Sequence, residues 1–400
     1  MSETSGKIDI LWFEGVAPER LRALPAVREM AARGVDARLT PLPLAEATTC
    51  YYQTLTGLGS GKLGRFDAVR AVAYTAREEA DAPEGAWRRT LPDLVRAGGR
   101  TAAQLDVTVD EALAALVDNQ ADCALARIHG AGNADDATLD AIVRQRIERA
   151  GPAAHLLILS DVCDPAPRRL VNVNNFLADV GLLEREVDGP SQRIAWPETL
   201  AYGLGAGQVW LNLRDREPEG VVTPGSEADE VRATLKDLLL NEWRDPDTGE
   251  PVVTRALTRE EAYTGEHVFR APDLVVVYRQ GYAPSPHARA LALDEASVLP
   301  GDPSASPGDD EPSACLIGAG PSLTSDARAT GRLVDVVPSV LYLLGLPIPH
   351  HLDGQVMTAL FSPAYRERTP VVQATSDATP LSEDEEDVIV GRLQALGYIG

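Results

Sequence analysis

Over the first 160 residues, short unbroken apolar runs alternate with segments whose apolar positions recur every three or four residues. The first run, Ile8-Asp-Ile-Leu-Trp-Phe13, closes at Glu14-Gly15 and reads as a buried strand. From Pro18 to Gly34 the residues Leu21, Leu24, Val27, Met30 and Ala31 keep helical spacing, and Gly34 supplies a stop. A strand is expected around Ala37 to Leu42, helices over 110–117 and 137–150, and strands over Cys123–Ile128 and His155–Leu159. Strands alternating with helices imply an α/β fold with a mostly parallel central sheet and helices on both faces. In such sheets the chemistry sits beyond the carboxyl ends of the strands. Glu14, His129 and Asp161 each follow an apolar strand, so the pattern places them on one rim.

The pattern changes over residues 168–270, where turn signals such as Glu217-Pro-Glu-Gly220, Thr223-Pro-Gly225 and Asp245-Pro-Asp-Thr-Gly249 crowd together. This stretch reads as an inserted cap between a first core segment, 1–167, and a second, 271–400. Strand character resumes at Asp273-Leu-Val-Val-Val-Tyr278 and again at Cys315–Gly318. Between them, residues 299–313 read as a flexible acidic loop. A helix is expected over Leu333–Leu344, with Pro338 in its first turns, and Ser382-Glu-Asp-Glu385 is a capping box that opens a last helix to about Leu396.

Composition narrows the function classes. The 400 residues carry a net charge of −23, a field that repels nucleic-acid phosphates and anionic lipid. No run of 18 apolar residues is present, so neither a nucleic-acid nor a membrane partner is expected. Four scattered cysteines, Cys50, Cys123, Cys163 and Cys315, form no CxxC pair, and the first residues lack the make-up of a signal peptide. The expected compartment is the reducing cytoplasm.

An ordered series of segments then resembles a known family. Val171-Asn-Val-Asn-Asn-Phe-Leu-Ala-Asp-Val-Gly-Leu-Leu183, Val209-Trp-Leu-Asn-Leu-Arg-Asp-Arg-Glu-Pro-Glu-Gly-Val221, Ala271-Pro-Asp-Leu-Val275 and Gly318-Ala-Gly-Pro321 are four of them. Asp335-Val-Val-Pro-Ser-Val-Leu-Tyr-Leu-Leu-Gly-Leu-Pro347, Leu352-Asp-Gly354 and Leu396-Gly-Tyr398 complete the series. Together they resemble the alkaline phosphatase superfamily, in particular its type I phosphodiesterase / nucleotide pyrophosphatase-like phosphohydrolases. That resemblance implies an alkaline-phosphatase-like fold. It also implies two divalent metals held by three Asp and three His, and a Thr or Ser nucleophile whose pKa the metals lower.

The site motifs depart from that pattern. The family's first-strand Asp-Gly reads Glu14-Gly15, and the Asp-His-Ala-Gly-His motif reads His129-Gly-Ala-Gly-Asn133. Ser-Asp-His-Gly reads Ser160-Asp161-Val162-Cys163, and the last ligand His becomes Asp310. Thr48-Thr49-Cys-Tyr-Tyr-Gln53, ahead of Thr56-Gly57, offers Thr49 and then Thr48 as nucleophile, with spacing two residues shorter than usual. The resemblance thus implies metal ligands Glu14, Asp161, His129, Asp310 and Asn133. Asp161 with Glu14 and Thr49 makes an oxygen set that suits Mg²⁺, Mn²⁺ or Ca²⁺ better than Zn²⁺, and a two-zinc site is not expected. His350 and His351 read as surface residues near the sheet.

Two readings stay open. One is a non-catalytic relative that keeps fold and cap to bind a small phosphorylated or anionic ligand or a protein partner. The other is a metal-dependent phosphoester hydrolase or phosphoryl transferase with a reprogrammed, single-metal site and a Thr nucleophile. The altered ligand set tips the balance to the first.

Overall fold

The computed structural model describes residues 6–42, 47–67, 69–78, 90–115, 120–162, 166–188, 191–303 and 313–374. The first part runs β1 (Ile8–Phe13), α1 (Pro18–Ala23), α2 (Pro25–Ala32), β2 (Val35–Thr40), α3 (Ala47–Thr56), α4 (Leu91–Ala97), β3 (Ala102–Thr108), α5 (Val109–Ala115), β4 (Cys123–His129), α6 (Asp136–Ala150) and β5 (His155–Ser160). A second unit follows with β6 (Ala201–Leu204), β7 (Gln208–Leu211), α7 (Ser226–Asn241), β8 (Val253–Thr258) and β9 (Leu274–Tyr278). The chain then returns with β10 (Ala314–Ala319), β11 (Ala327–Arg332) and α8 (Val336–Leu343).

The main sheet has seven strands in the order β11-β2-β10-β5-β1-β4-β3. Only β10 runs against the others. The expected mostly parallel sheet is therefore present, and its two faces separate by simple alternation. Ile8, Ile10 and Trp12 of β1 enter a core with Cys50 and Leu55 of α3, Leu94 of α4, and Val337, Val340 and Leu341 of α8. Leu11 and Phe13 face the other way, onto Leu21 of α1, Val27 and Met30 of α2, and Leu139, Ile142 and Val143 of α6. Successive side chains of a strand point to opposite faces, so a strand covered on both sides is apolar almost throughout, and the one charge in β1, Asp9, is paired with Arg146.

Three expectations change in detail. The single helix expected from Pro18 to Gly34 is two, because Leu24 is extended (ψ 133°) where the ring of Pro25 disfavours helical backbone. The strand at 274–278 does not rejoin the main sheet. It pairs antiparallel with β7 and β8 in a four-stranded sheet ordered β6-β7-β9-β8. That sheet and α7 share a separate apolar core, drawn from Val171 to Val298, in which Trp243 stacks on Phe176 at 4.7 Å. The helix expected over Leu333–Leu344 opens as a 3-10 turn, Leu333–Asp335, before α8. The acidic loop's 304–312 and the last expected helix lie outside the described residues. Among the described residues no helix is long and apolar enough to cross a membrane.

His155 opens β5 and is buried. Its Nε2 accepts the Ser322 N–H at 3.2 Å, so the neutral ring carries its proton on Nδ1. Burial pushes its pKa down to about 4. The unfolded imidazole takes a proton near 6.5, whereas the folded one waits until about 4, so this contribution is whole at neutral pH and lost as pH falls through that window. We expect the wild type to lose about 3 kcal/mol from this source by pH 4. Gln at this position retains an acceptor but does not titrate. Urea unfolding at pH 7 and pH 4.5 should therefore show a smaller drop for His155→Gln than for wild type, and equal drops would refute the assignment.

Candidate functional site

The site is built at the carboxyl end of β1, which lies between β4 and β5 in matched register. Phe13 stands level with Ile128 on one side and Ser160 on the other, so Glu14, His129 and Asp161 leave the sheet together. The Glu14 N–H donates to Ile128 O at 3.1 Å, and the Gly132 N–H donates to Glu14 O at 3.0 Å. The two loops touch through glycines. Gly15 has a φ of +72°, and a Cβ on Gly132 would lie 2.6 Å from Gly15 O. Arg20 of α1 ties down the loop after β4, donating to Gly132 O at 2.8 Å and to Ala134 O, and pairing with Asp136 at 2.7 Å.

Side chains close the arrangement. Glu14 takes Arg127 Nη2 on Oε1 at 2.5 Å and His129 Nδ1 on Oε2 at 2.5 Å. The other ring nitrogen of His129 lies 3.4 Å from Asp106 Oδ1 of β3. Asp161 accepts the Trp12 Nε1–H at 2.6 Å and the Gly15 N–H at 2.8 Å, one on each oxygen. Tyr51 of α3 packs on Trp12 with ring centroids 5.0 Å apart, and the Arg127 guanidinium carbon lies 4.1 Å from the Tyr51 ring centre. Burial raises the Asp161 pKa above the ordinary carboxylate range. The two donated hydrogen bonds oppose that rise, the charge of Glu14 adds to it and that of Arg127 reduces it. Burial likewise raises the Tyr51 phenol, with the Arg127 charge pulling the other way.

Of the residues proposed from sequence, the structure brings together Glu14, His129 and Asp161. Asn133 ends a short 3-10 turn on the same loop and is exposed. Val162, which stands where the family motif has a His, packs against the apolar core under α3 and α8. Thr49 lies in the first turn of α3 with no solvent exposure. Thr48 is its neighbour on that helix, with its side chain outside the described residues, as are Cys163 and Asp310. Thr56, at the end of α3, donates its hydroxyl back to Tyr52 O at 2.6 Å.

The donor set at this rim is engaged within the chain. All four oxygens of Glu14 and Asp161 already accept a bond from the chain, and His129 Nδ1 is spent on Glu14. Among the described residues no group of three or more His, Cys, Asp or Glu side chains is arranged to hold a metal ion. The described residues therefore do not fit the two-metal pattern.

The sequence reading missed Arg127, Trp12, Tyr51 and Asp106. One signal was available: Arg127 is the only charge inside the run Cys123–His129, two residues before His129 and so on the same face of β4. The pairing of Asp106 with Arg127 and of Trp12 with Arg127 across strands needs the register, which no single segment displays.

No family model and no curated protein matches the sequence. Solved structures do match. Human ectonucleotide pyrophosphatase / phosphodiesterase 5 superposes with a TM-score of 0.52 at 12% identity, covering 91% of this chain and 99% of that one. The murine protein gives 0.53 at 13% identity, covering 89% and 100%. An inactive form of the murine protein, in complex with AMP, gives 0.51 at 12% identity, covering 85% and 95%. At such identities the likeness is one of fold: the chain has the alkaline-phosphatase-like architecture of the nucleotide pyrophosphatases / phosphodiesterases.

The Trp12–Asp161 bond is open to test. Trp12→Phe keeps an aromatic ring against Tyr51 but removes the donor to a half-buried carboxylate, and should cost about 2 kcal/mol. Urea unfolding measures it, and a loss below about 0.5 kcal/mol would mean that the bond contributes little.

Proposed function

We propose that this chain is a non-catalytic binding protein on a nucleotide-pyrophosphatase-like fold, and that its ligand is a small phosphorylated molecule of the nucleotide type. The observation that carries the first half is Val162. It stands where the family motif places a ligand His, it has no lone pair to offer, and its side chain rests half-buried against an apolar core. A phosphoryl-transfer site of this kind depends on metal charge to stabilise the attacking and leaving oxygens, worth several kcal/mol of barrier. The buried Thr49 hydroxyl supports the same reading, because a nucleophile must come within about 3.5 Å of the phosphorus. The ligand class is supported by the murine structure of the same fold in complex with AMP. The compartment we propose is a reducing cytoplasm, in which the buried thiols of Cys123 and Cys315 would stay reduced.

A second reading, a phosphoester hydrolase with a reprogrammed single-metal site and a Thr nucleophile, is favoured by one observation. Glu14, His129 and Asp161 do meet at the carboxyl rim of the sheet.

One pair of measurements separates the two. Purified protein should hydrolyse an activated aryl phosphodiester no faster than buffer, with or without added Mn²⁺ or Zn²⁺, while calorimetry detects saturable binding of AMP. Turnover that Thr49→Ala or Thr48→Ala abolishes would establish the hydrolase. No heat with AMP would remove the ligand class.

A further inference from the structure

We infer that Arg127 is the resident cation of this rim: its guanidinium holds the position against Glu14 that a divalent ion would need, so the site is assembled without a metal and excludes one. The guanidinium and a metal ion would compete for the same carboxylate. A metal bound to Glu14 would lie roughly 2.0–2.2 Å from a carboxylate oxygen. One of those oxygens already has Arg127 Nη2 at 2.5 Å and the other His129 Nδ1 at 2.5 Å. A dication beside the same carboxylate would face the Arg127 charge and would compete with both donors for the carboxylate lone pairs.

Arg127 is suited to this role in three ways. Its guanidinium brings a delocalised charge on a planar group of donors, which an imidazole does not. Its planar group is fixed from the side by Tyr51, 4.1 Å from the ring centre, and Tyr51 is itself fixed against Trp12. It emerges from the interior of a paired strand, so its root does not move with the loop. The aromatic pair serves both acids, because Trp12 also donates to Asp161. Two neighbouring carboxylates are thereby satisfied entirely from within the chain, by one guanidinium, one imidazole, one indole and one backbone N–H.

The test is competition for Glu14 in the full chain. Wild type, Arg127→Ala and Arg127→Met are titrated with Mn²⁺ and with Zn²⁺ by calorimetry, and thermal unfolding is followed in EDTA and in Mn²⁺. We expect no saturable binding to wild type and the same unfolding midpoint in EDTA and Mn²⁺. Arg127→Ala should bind at least tenfold more tightly than wild type, unfold earlier in EDTA and recover in Mn²⁺. Adding Glu14→Ala to it should abolish the gain. Arg127→Met keeps the aliphatic stem over Tyr51, so it should gain metal affinity even if the alanine variant fails to fold. The inference is overturned if wild type binds Mn²⁺ or Zn²⁺ through Glu14 as tightly as the variants do, or if neither variant gains affinity. This result is independent of the hydrolysis assay: a metal-free wild type that turns over substrate would sink the non-catalytic reading and leave Arg127 as assigned.

Discussion

Matched register on both sides of β1 is the constraint from which the rest of the molecule follows. Side chains alternate along a strand, so a slip of one residue would send Trp12 to the opposite face and part Glu14 from His129 and Asp161. What resists the slip is packing. Ile8, Ile10 and Trp12 are matched to α3, α4 and α8, and Leu11 and Phe13 to α1, α2 and α6. Core and site are therefore not separate achievements. The apolar residues that make β1 a central strand also set the residue that follows it between two partners.

That placement creates a charge problem. Glu14 and Asp161 stand next to each other at the edge of a low-dielectric sheet, where carboxylates need counter-charge or donors. The chain supplies them itself, through Arg127, His129, Trp12 and Gly15. The second unit solves a similar problem in a similar way. Asp273, buried at the entry to β9, accepts the Leu211 N–H at 2.8 Å and Arg216 at 2.7 Å, and also pairs with Arg259. In both places an arginine donates to the carboxylate, a charge-assisted bond stronger than a neutral one.

Much of this was legible before the structure. Mainly apolar runs ending in Glu14-Gly15 and in Ser160-Asp161, and a run that passes into His129, identified three central strands and the rim they share. The break at Leu24-Pro25 was legible too, since the proline rule applies inside any helical pattern, but apolar spacing continues across it and conceals the kink. The strand at 274–278 was recognisable as a strand, though an apolar run does not say which sheet it joins. Arg127 was the harder case. It sits inside what reads as core, and its value depends on Tyr51, Glu14 and Asp106, none of them near it in sequence. Motif spacing offered Thr49, yet exposure is a tertiary property, and α3 brings Tyr51 to Arg127 at the rim while Thr49 is buried.

A fold and its site can part company because different residues maintain them. Here the architecture is held by two apolar cores, one on each face of the main sheet, and by a third in the second unit. None of the three contains Glu14, His129 or Asp161. Where a protein's carboxylates wait for a metal, metal binding and folding are coupled, and a change of one ligand reaches stability. A rim neutralised by its own arginine breaks that coupling. On the reading proposed above, Val162 rests half-buried against the core and Asn133 faces solvent, and neither adds a charge to the rim. On that reading the neutral Val162 and Asn133 and the Arg127–Glu14 pair belong to one arrangement, in which the rim's carboxylates are met from within the chain.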